Sequence, residues 1–214
     1  MDRESFLLLI EGLRTTLWLS LLSMALSLLL GTVVGVMRVS PIELVSAFAE
    51  GYVQFFRNIP LLIVLFFVLN GLPQSGIRLS FFWSGVAGLT VYTAAYVAET
   101  VRAGLQSLSA GQTEAARSLG MSWLQAQRLV LLPQAFRIIV PPLGNLFIAL
   151  VKNTSLASAI GVADILYQAE VVEGRTFNPN IFLYAGLLYL VITIPLGALV
   201  NAMERRLSLA RAGR

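Results

Sequence analysis

The residues best suited to bind a polar ligand lie inside an apolar stretch of the sequence. Lys152 is the one lysine in the chain, and Asn153, Thr154 and Ser155 follow it within the apolar segment Ile138 to Ile160. A charged side chain in a membrane-spanning helix costs roughly 2.5 to 3.5 kcal/mol on insertion scales, so Lys152 must face a cavity, a partner or a bundle interior. The four residues could form a polar wall or break the helix and contact an anionic group. Alternatively, Lys152 could tie helices together through backbone carbonyls, or the polar wall could serve subunit packing.

A second polar set follows helical spacing in the segment 81–103. Tyr92, Tyr96 and Glu99 stand at i, i+4 and i+7, which places them on one helix face that either lines a pore or packs as a core stripe. Glu99 is roughly 27 Å along this span, near its far end, so we do not expect a salt bridge with Lys152. Asn70 comes to a similar level as Lys152 and is the better companion.

A third set forms the sequence EAARSLGMSWLQAQRLVLLP, which begins at Glu114 and ends at Pro133. Local rules predict a short helix from about Gln112, a break at Gly120, and a second amphipathic helix that stops before Pro133. Its apolar positions are Trp123, Ala126, Leu129 and Val130. Such an elbow is suited to lie in a groove of another protein, or it is an ordinary helix at a membrane interface.

The composition excludes most enzyme classes. The sequence contains no cysteine and no histidine, which removes Cys/His zinc sites, thiol nucleophiles, Ser/His triads and His- or Cys-bound haem. Val151 and Asn153 flank the lone lysine, so the chain has no phosphate-binding P-loop. With 57% apolar residues, 12% charged residues and a mean hydropathy of +0.80, we expect a membrane protein that is not an enzyme and binds no cofactor or metal.

The uncharged runs predict an all-α membrane protein with five spans in a single domain, 1–214. The spans are expected at about 15–37, 44–70, 81–103, 138–160 and 181–203. The second is read as one long helix bent at Pro60, and Gly31 and Gly35 in the first would let another helix approach closely. The segment 106–137 is expected to lie outside the bilayer, and 164–180 to be a polar loop.

The arginines set the expected orientation, since positive charge favours the cytoplasmic side. Five spans place the termini on opposite sides, and the distribution favours an external N-terminus and a cytoplasmic C-terminus. Arginines expected in the cytoplasm are Arg38, Arg57, Arg102, Arg117, Arg128, Arg137, Arg205, Arg206, Arg211 and Arg214, whereas those expected outside are Arg3, Arg14, Arg78 and Arg175. The sequence pI of about 9.9 therefore indicates topology, and no nucleic-acid partner is expected.

The third set resembles the EAA loop of permease subunits of bacterial ABC importers. The pattern is met by Glu114, Ala115, Ala116, Gly120, Val130, Leu132 and Pro133, with Val130 where the family usually has isoleucine. Four further segments resemble the polar amino acid branch: 56–62 (FRNIPLL), 96–104 (YVAETVRAG), 132–137 (LPQAFR) and 152–156 (KNTSL). The likeness extends from Leu13 to about Arg206.

This resemblance implies a type-1 transmembrane domain in the bacterial inner membrane that forms the translocation pathway for polar amino acids, with glutamate, aspartate and glutamine favoured. It implies a separate ATPase subunit that holds ATP-Mg, an extracytoplasmic binding protein, and a second permease subunit in a homodimer or heterodimer. The cytoplasmic segment 106–137, between the third and fourth spans, would then be the coupling segment, with Glu114, Ala115, Ala116, Gly120, Trp123 and Pro133 at the ATPase contact. The alternative from the spans alone is a secondary carrier or channel that is not driven by ATP.

Overall fold

The chain is helical throughout the computed structural model, which describes residues 2–212 and side chains as far as Arg205. Nine α-helices occur in this range: α1 (Arg3–Met37), α2 (Glu43–Asn58), α3 (Leu61–Gly71), α4 (Phe81–Gln106), α5 (Ala110–Ser118), α6 (Trp123–Ala126), α7 (Leu132–Asn153), α8 (Ile165–Thr176) and α9 (Ile181–Ala212). Leu72–Ser75 and Thr154–Ile160 form 3-10 turns, and Gln127–Leu131 is π-helical. No strand occurs in the described range, so the predicted all-α class is confirmed. The side chains of Arg206, Arg211 and Arg214 in the basic tail lie outside the described residues.

Four helices of the described chain are long and apolar enough to cross a membrane, and a fifth span exists if α2 and α3 count as one. The four are Arg3–Met37, Phe81–Gln106, Trp123–Ile160 and Ile181–Arg205. The first begins well before its predicted start at Thr15, because the Asp2 side chain accepts a hydrogen bond from the Ser5 N–H and caps the helix there. Helices α4 and α9 likewise run past their predicted ends at 103 and 203.

The second span is broken, and the prediction of one bent helix over 44–70 is wrong. The axes of α2 and α3 differ by 106°. Ile59 and Pro60 between them are both extended, with φ −104° and ψ 140° at Ile59. A proline ring disfavours the helical conformation at the preceding residue, so the chain leaves the helix at Ile59 and restarts after Pro60.

The pair α1 and α4 forms the centre of the bundle, and two glycines allow the contact. A Cβ on Gly31 would lie 2.5 Å from the Val97 Cβ, and one on Gly35 would lie 2.8 Å from the Ala98 carbonyl oxygen. The expected close approach at this small-xxx-small pair is confirmed. The two helices fix each other's height, so the ends of α1 and α4 lie at one end of the bundle, here called the basic end (residues 38–43 and 99–128).

The helix that leads into the fourth span starts earlier than predicted. Helical structure runs without interruption from Trp123 to Ile160, so both the predicted stop before Pro133 and the predicted start at Ile138 are wrong. Pro133 has no N–H to donate. The helix accommodates it through π-helical turns over Gln127–Leu131, in which the Leu132 N–H donates to the Gln127 carbonyl five residues back. Part of the segment 106–137 therefore belongs to the spanning helix.

The segment 164–180, predicted as a polar loop, contains helix α8. Asp164 caps it by accepting a hydrogen bond from the Tyr167 N–H at 2.9 Å, and Ile165, Ala169 and Val172 are buried against Leu9 of α1. The i, i+4, i+7 spacing of these apolar residues was the missed sequence signal. Burial raises the pKa of the Asp164 carboxyl to about 6, although its hydrogen bonds act in the opposite direction.

Candidate functional site

A small cavity between α4 and α7 brings together several predicted polar residues. These helices touch where a Cβ on Gly104 would lie 2.3 Å from the Ile139 Cγ2. Further along they leave a cavity of about 220 Å³ that is lined by Tyr92, Thr93, Tyr96, Leu146, Ala149, Leu150 and Asn153. This is below the roughly 300 to 1,000 Å³ of sites for drug-sized ligands, so the cavity suits a small molecule.

The polar groups of the cavity come from both helices. The hydroxyls of Tyr92 and Tyr96 are 3.0 Å apart and hydrogen bonded, and the ring centroids are 5.2 Å apart. Asn153 contributes an amide from the last residue of α7. Two hydroxyls and an amide can donate and accept hydrogen bonds, which is what a zwitterionic or amide-bearing ligand requires.

The other predicted pathway residues do not line this cavity. Lys152 is exposed on the chain, and the Ser155 hydroxyl donates to the Lys152 carbonyl at 2.8 Å. Thr154 is fully buried, and its hydroxyl donates to the Val151 carbonyl. Asn70 is exposed at the end of α3, where its amide donates to the Phe66 carbonyl, and no hydrogen bond joins it to Lys152.

Glu99 lies in a cluster of charges at the basic end, next to the cavity. Its carboxylate pairs with Arg38 and Arg102, and with Arg57 at 3.5 Å. Arg38 also pairs with Glu50 of α2, and its side chain is only 7% exposed. The cluster joins the end of α1 to α2 and α4. Arg38 is 61 residues from Glu99 and 12 residues from Glu50 in the sequence.

Arg57 connects this cluster to the cavity. Its guanidinium carbon lies 5.7 Å from the centre of the Tyr96 ring, within the range of a cation–π contact. Sequence reasoning placed Glu99 near the interface but missed its ion pair with Arg38 and the second pair that Arg38 makes with Glu50. The signal available was depth, because Arg38 follows directly on the first span and therefore ends at the level of Glu99.

The segment around the EAA pattern forms an elbow of two short helices. Helix α5 ends at Ser118, Gly120 has φ +79°, and α6 begins at Trp123. A capping box fixes the start of α6, with the Ser122 hydroxyl bonded to the Gln125 N–H and the Gln125 amide oxygen bonded to the Ser122 N–H. The positive φ requires glycine or a residue that tolerates the left-handed region.

The outer surface of this elbow carries both charged and apolar side chains that are exposed. Glu114 and Ala115 are exposed, while Ala116 is 3% exposed and anchors α5. Leu119 and Leu124 are 79% and 64% exposed, so the elbow also presents apolar surface. Of the other residues predicted here, Trp123 is half-buried and lines a groove whose opposite wall is α1, and Pro133 is exposed at the start of α7.

Comparisons with known proteins identify the family. Residues 27–209 match the family described as "Binding-protein-dependent transport system inner membrane component". The chain belongs to this family. It is therefore a transport subunit of a membrane permease and not an enzyme, and the resemblance to permease subunits of ABC importers is confirmed.

Several relatives match over nearly the whole chain. It is 43% identical over 205 residues to the "Probable glutamine ABC transporter permease protein GlnM" of Bacillus subtilis, covering 95% of each chain. It is 37% identical over 210 residues to the "Glutamate/aspartate import permease protein GltK" of Escherichia coli O157:H7, covering 92% of each.

Solved structures share the fold. A crystal structure described as an amino acid ABC transporter with histidines has a TM-score of 0.84 and 37% identity, and the match covers 96% of this chain and 99% of that one. The MetNI methionine ABC transporter in an inward-facing conformation has a TM-score of 0.80 at 22% identity, with 97% of this chain and 99% of that one covered, which shows a common fold.

Proposed function

We propose that the chain is the permease subunit of an ATP-driven importer for polar amino acids, with glutamine, glutamate and aspartate favoured. The observation that carries this proposal is the 43% identity to a glutamine permease over 95% of both chains. The second relative, a glutamate/aspartate permease, points to the same group of substrates. The chain would lie in the bacterial cytoplasmic membrane as a single type-1 transmembrane domain, 1–214, with its N-terminus outside and the EAA segment, between the α4 span and the Trp123–Ile160 span, in the cytoplasm.

The cavity between α4 and α7 would form part of the translocation pathway. The Tyr92 and Tyr96 hydroxyls and the Asn153 amide would hold the polar groups of an amino acid. Arg57 lies against Tyr96 and carries a positive charge that could bind a substrate carboxylate. For this, the ion pair between Arg57 and Glu99 would have to loosen. Selection among amino acids would rest partly on the binding protein that delivers them.

The position of Lys152 supports the presence of a second permease subunit. It lies within the helix Trp123–Ile160, yet it is exposed on this chain. Because a charge facing lipid at that depth costs roughly 2.5 to 3.5 kcal/mol, the position is best explained if a second subunit covers it. The pathway would then run between two subunits, with Lys152, Thr154, Ser155 and Asn70 near the contact.

The second subunit is either another copy of this chain or a similar permease. Two Bacillus subtilis relatives, at 43% and 34% identity, are both described as probable glutamine permeases, which favours a pair of similar subunits. Helix α9 offers surface for such a contact, since Leu183, Leu187, Val191 and Ile194 on one face are more than half exposed. Membrane lipid would cover what the partner leaves free.

The elbow would bind a separate ATPase subunit that holds ATP-Mg, while this chain binds no cofactor. Glu114 and Ala115 lie on the exposed side of α5, and Gly120 sets the angle between α5 and α6. Ala116, Trp123 and Pro133 would hold the elbow against the bundle, so that closure of the ATPase subunits moves α7 and α4. The alternative of a carrier that needs no ATP finds no support among the relatives.

The substrate is tested with the complete complex in vesicles. Uptake of labelled glutamine is measured in the presence of an excess of unlabelled glutamate, aspartate, arginine or methionine. We expect the acidic or amide amino acids to compete and arginine and methionine not to compete. Competition by arginine alone would contradict the proposed substrate group.

A further inference from the structure

An apolar groove lies between the end of α1 and the helix that follows the elbow. Its volume is about 320 Å³, and its walls include Val33, Val36 and Met37 on α1 and Trp123 and Leu132 on the other side. The groove extends from Thr32 in α1 to Ser40, just beyond the end of that helix, a length of roughly 12 Å. It therefore covers the last turns of a membrane span and the residues just beyond, which is the depth of lipid headgroups and the first part of the acyl chains.

The apolar walls of the groove are exposed on this chain. Val33 is 58% exposed and Leu124, at the other wall, is 64% exposed. Trp123 is half-buried between them, and indole rings favour the membrane interface. An acyl chain is flexible and apolar, so it can follow such a groove without leaving polar groups unpaired.

One unpaired cation marks the edge of the groove. Arg128 lines it and is exposed, and among the described residues it makes no ion pair or hydrogen bond. By contrast, Arg38, Arg57 and Arg102 at the same end of the bundle all pair with Glu99. Basic residues between spanning helices on the cytoplasmic side are known to hold anionic lipid headgroups.

We propose that this groove binds an anionic phospholipid, with one acyl chain along Val33, Val36 and Met37 and the phosphate at Arg128. A zwitterionic lipid suits the site less well, because its ammonium group meets the arginine charge. The proposal depends on the proposed function only in placing this end of the bundle at a membrane interface, and its test requires no transport of substrate.

The test uses the complete complex in vesicles that contain equal amounts of phosphatidylglycerol and phosphatidylcholine. In one preparation the phosphatidylglycerol carries a photoactivatable diazirine on its acyl chain, and in the other the phosphatidylcholine carries it. After illumination, lipid adducts on the peptides that contain residues 32–45 and 123–132 are counted by mass spectrometry. We expect the anionic lipid to label them about fivefold more, equivalent to about 1 kcal/mol for one basic residue near an anionic headgroup.

Two variants test the role of the arginine. In Arg128→Gln we expect the ratio of anionic to zwitterionic lipid adducts to fall close to one. Arg137 is also exposed on the same continuous helix but lies outside the groove, so Arg137→Gln should leave that ratio unchanged. Added inorganic phosphate should not displace the labelled lipid, since the acyl chain contributes most of the contact.

Three results would overturn the proposal. Equal labelling by both lipids in the unaltered chain would mean ordinary boundary lipid, and an unchanged ratio in Arg128→Gln would remove the assigned headgroup contact. Absence of groove adducts in the complete complex would mean that a protein subunit covers the groove. Uptake measured on the same vesicles reports separately on the proposed transport function.

Discussion

Replacement of Gly120 by alanine is expected to disconnect ATP hydrolysis from uptake. Gly120 has φ +79°, and a Cβ placed there would meet no atom within 4 Å. The substitution therefore creates no clash and acts only through the backbone. An L-residue in the left-handed region costs about 1 to 2 kcal/mol, which lowers the equilibrium constant between the native elbow and other shapes by a factor of about 5 to 30. The cost is relieved locally because Gly120 is exposed, so the elbow changes shape while the bundle stays folded.

The assay measures substrate transported and ATP hydrolysed by the complete importer in the same vesicles. For Gly120→Ala we expect a clear fall in substrate moved per ATP, with a cost of about 1 kcal/mol allowing a fall of up to about fivefold and a cost of about 2 kcal/mol a fall of up to about thirtyfold. Gly111→Ala is the matched control, because Gly111 lies in α5 with equally open surroundings and an ordinary backbone conformation. Gly120→Asn should retain most coupling, since asparagine tolerates positive φ. If Gly120→Ala couples as well as Gly111→Ala, the reasoning about the elbow is wrong.

Three further predictions concern stability and transport. Gly31→Ala should destabilise the chain by about 1 to 3 kcal/mol, since its Cβ would lie 2.5 Å from the Val97 Cβ, while Gly51→Ala in open surroundings should not. The midpoint of thermal unfolding in detergent checks this, and equal midpoints for the two variants would contradict it. The pKa of Asp164 is raised from 3.8 to about 6, so the folded state binds a proton at this carboxyl more tightly than the unfolded state does. The free energy of unfolding should therefore fall by roughly 1 kcal/mol as the pH rises from 5 to 7.5. Asp164→Asn should remove most of this pH dependence, and an unchanged dependence would refute the assignment. Lys152→Met should lower uptake by about tenfold, as expected for the loss of a hydrogen bond to a charged group, whereas Lys152→Arg retains the charge and should lose less; normal uptake by Lys152→Met would make the residue unnecessary for transport.

The sequence was most informative where one physical requirement acted alone. A bilayer demands an uninterrupted apolar run, so α1, α4 and α9 were visible from the absence of charge over Thr15–Met37, Phe81–Ala98 and Ile181–Met203. The close approach of α1 and α4 was also predictable, because two glycines four residues apart have few other uses in a span.

Prediction failed where a local rule competed with tertiary packing. Pro60 was expected to bend a helix and instead ends it, and the 106° turn brings both α2 and α3 onto the same turn of α4. There the Tyr52 hydroxyl donates to the Val91 carbonyl, and Leu65 packs against Gly88. Pro133 was expected to end a helix and instead lies within one, since the preceding π-helical turns accommodate its missing N–H.

The candidate site was predictable in part. The spacing of Tyr92 and Tyr96 identified their shared face, but only the fold shows that Asn153 of α7 meets it. Arg102 is three residues from Glu99 on the same helix, but Arg38 and Arg57 are distant in sequence, and no periodicity links Arg38 to Glu50 and Glu99. The expected proximity of Asn70 and Lys152 rested only on their depth in the membrane. Depth fixes the height of a residue but not the face of the helix on which it lies.

Dependence of uptake on a separate ATPase tests the central claim most directly. Vesicles that contain this chain with its second permease, ATPase and binding protein are compared with vesicles that lack only the ATPase, each with ATP or with an imposed proton or sodium gradient. The account predicts accumulation of labelled glutamine or glutamate with ATP in the complete complex and none in the other vesicles. Accumulation driven by an ion gradient without the ATPase would contradict it.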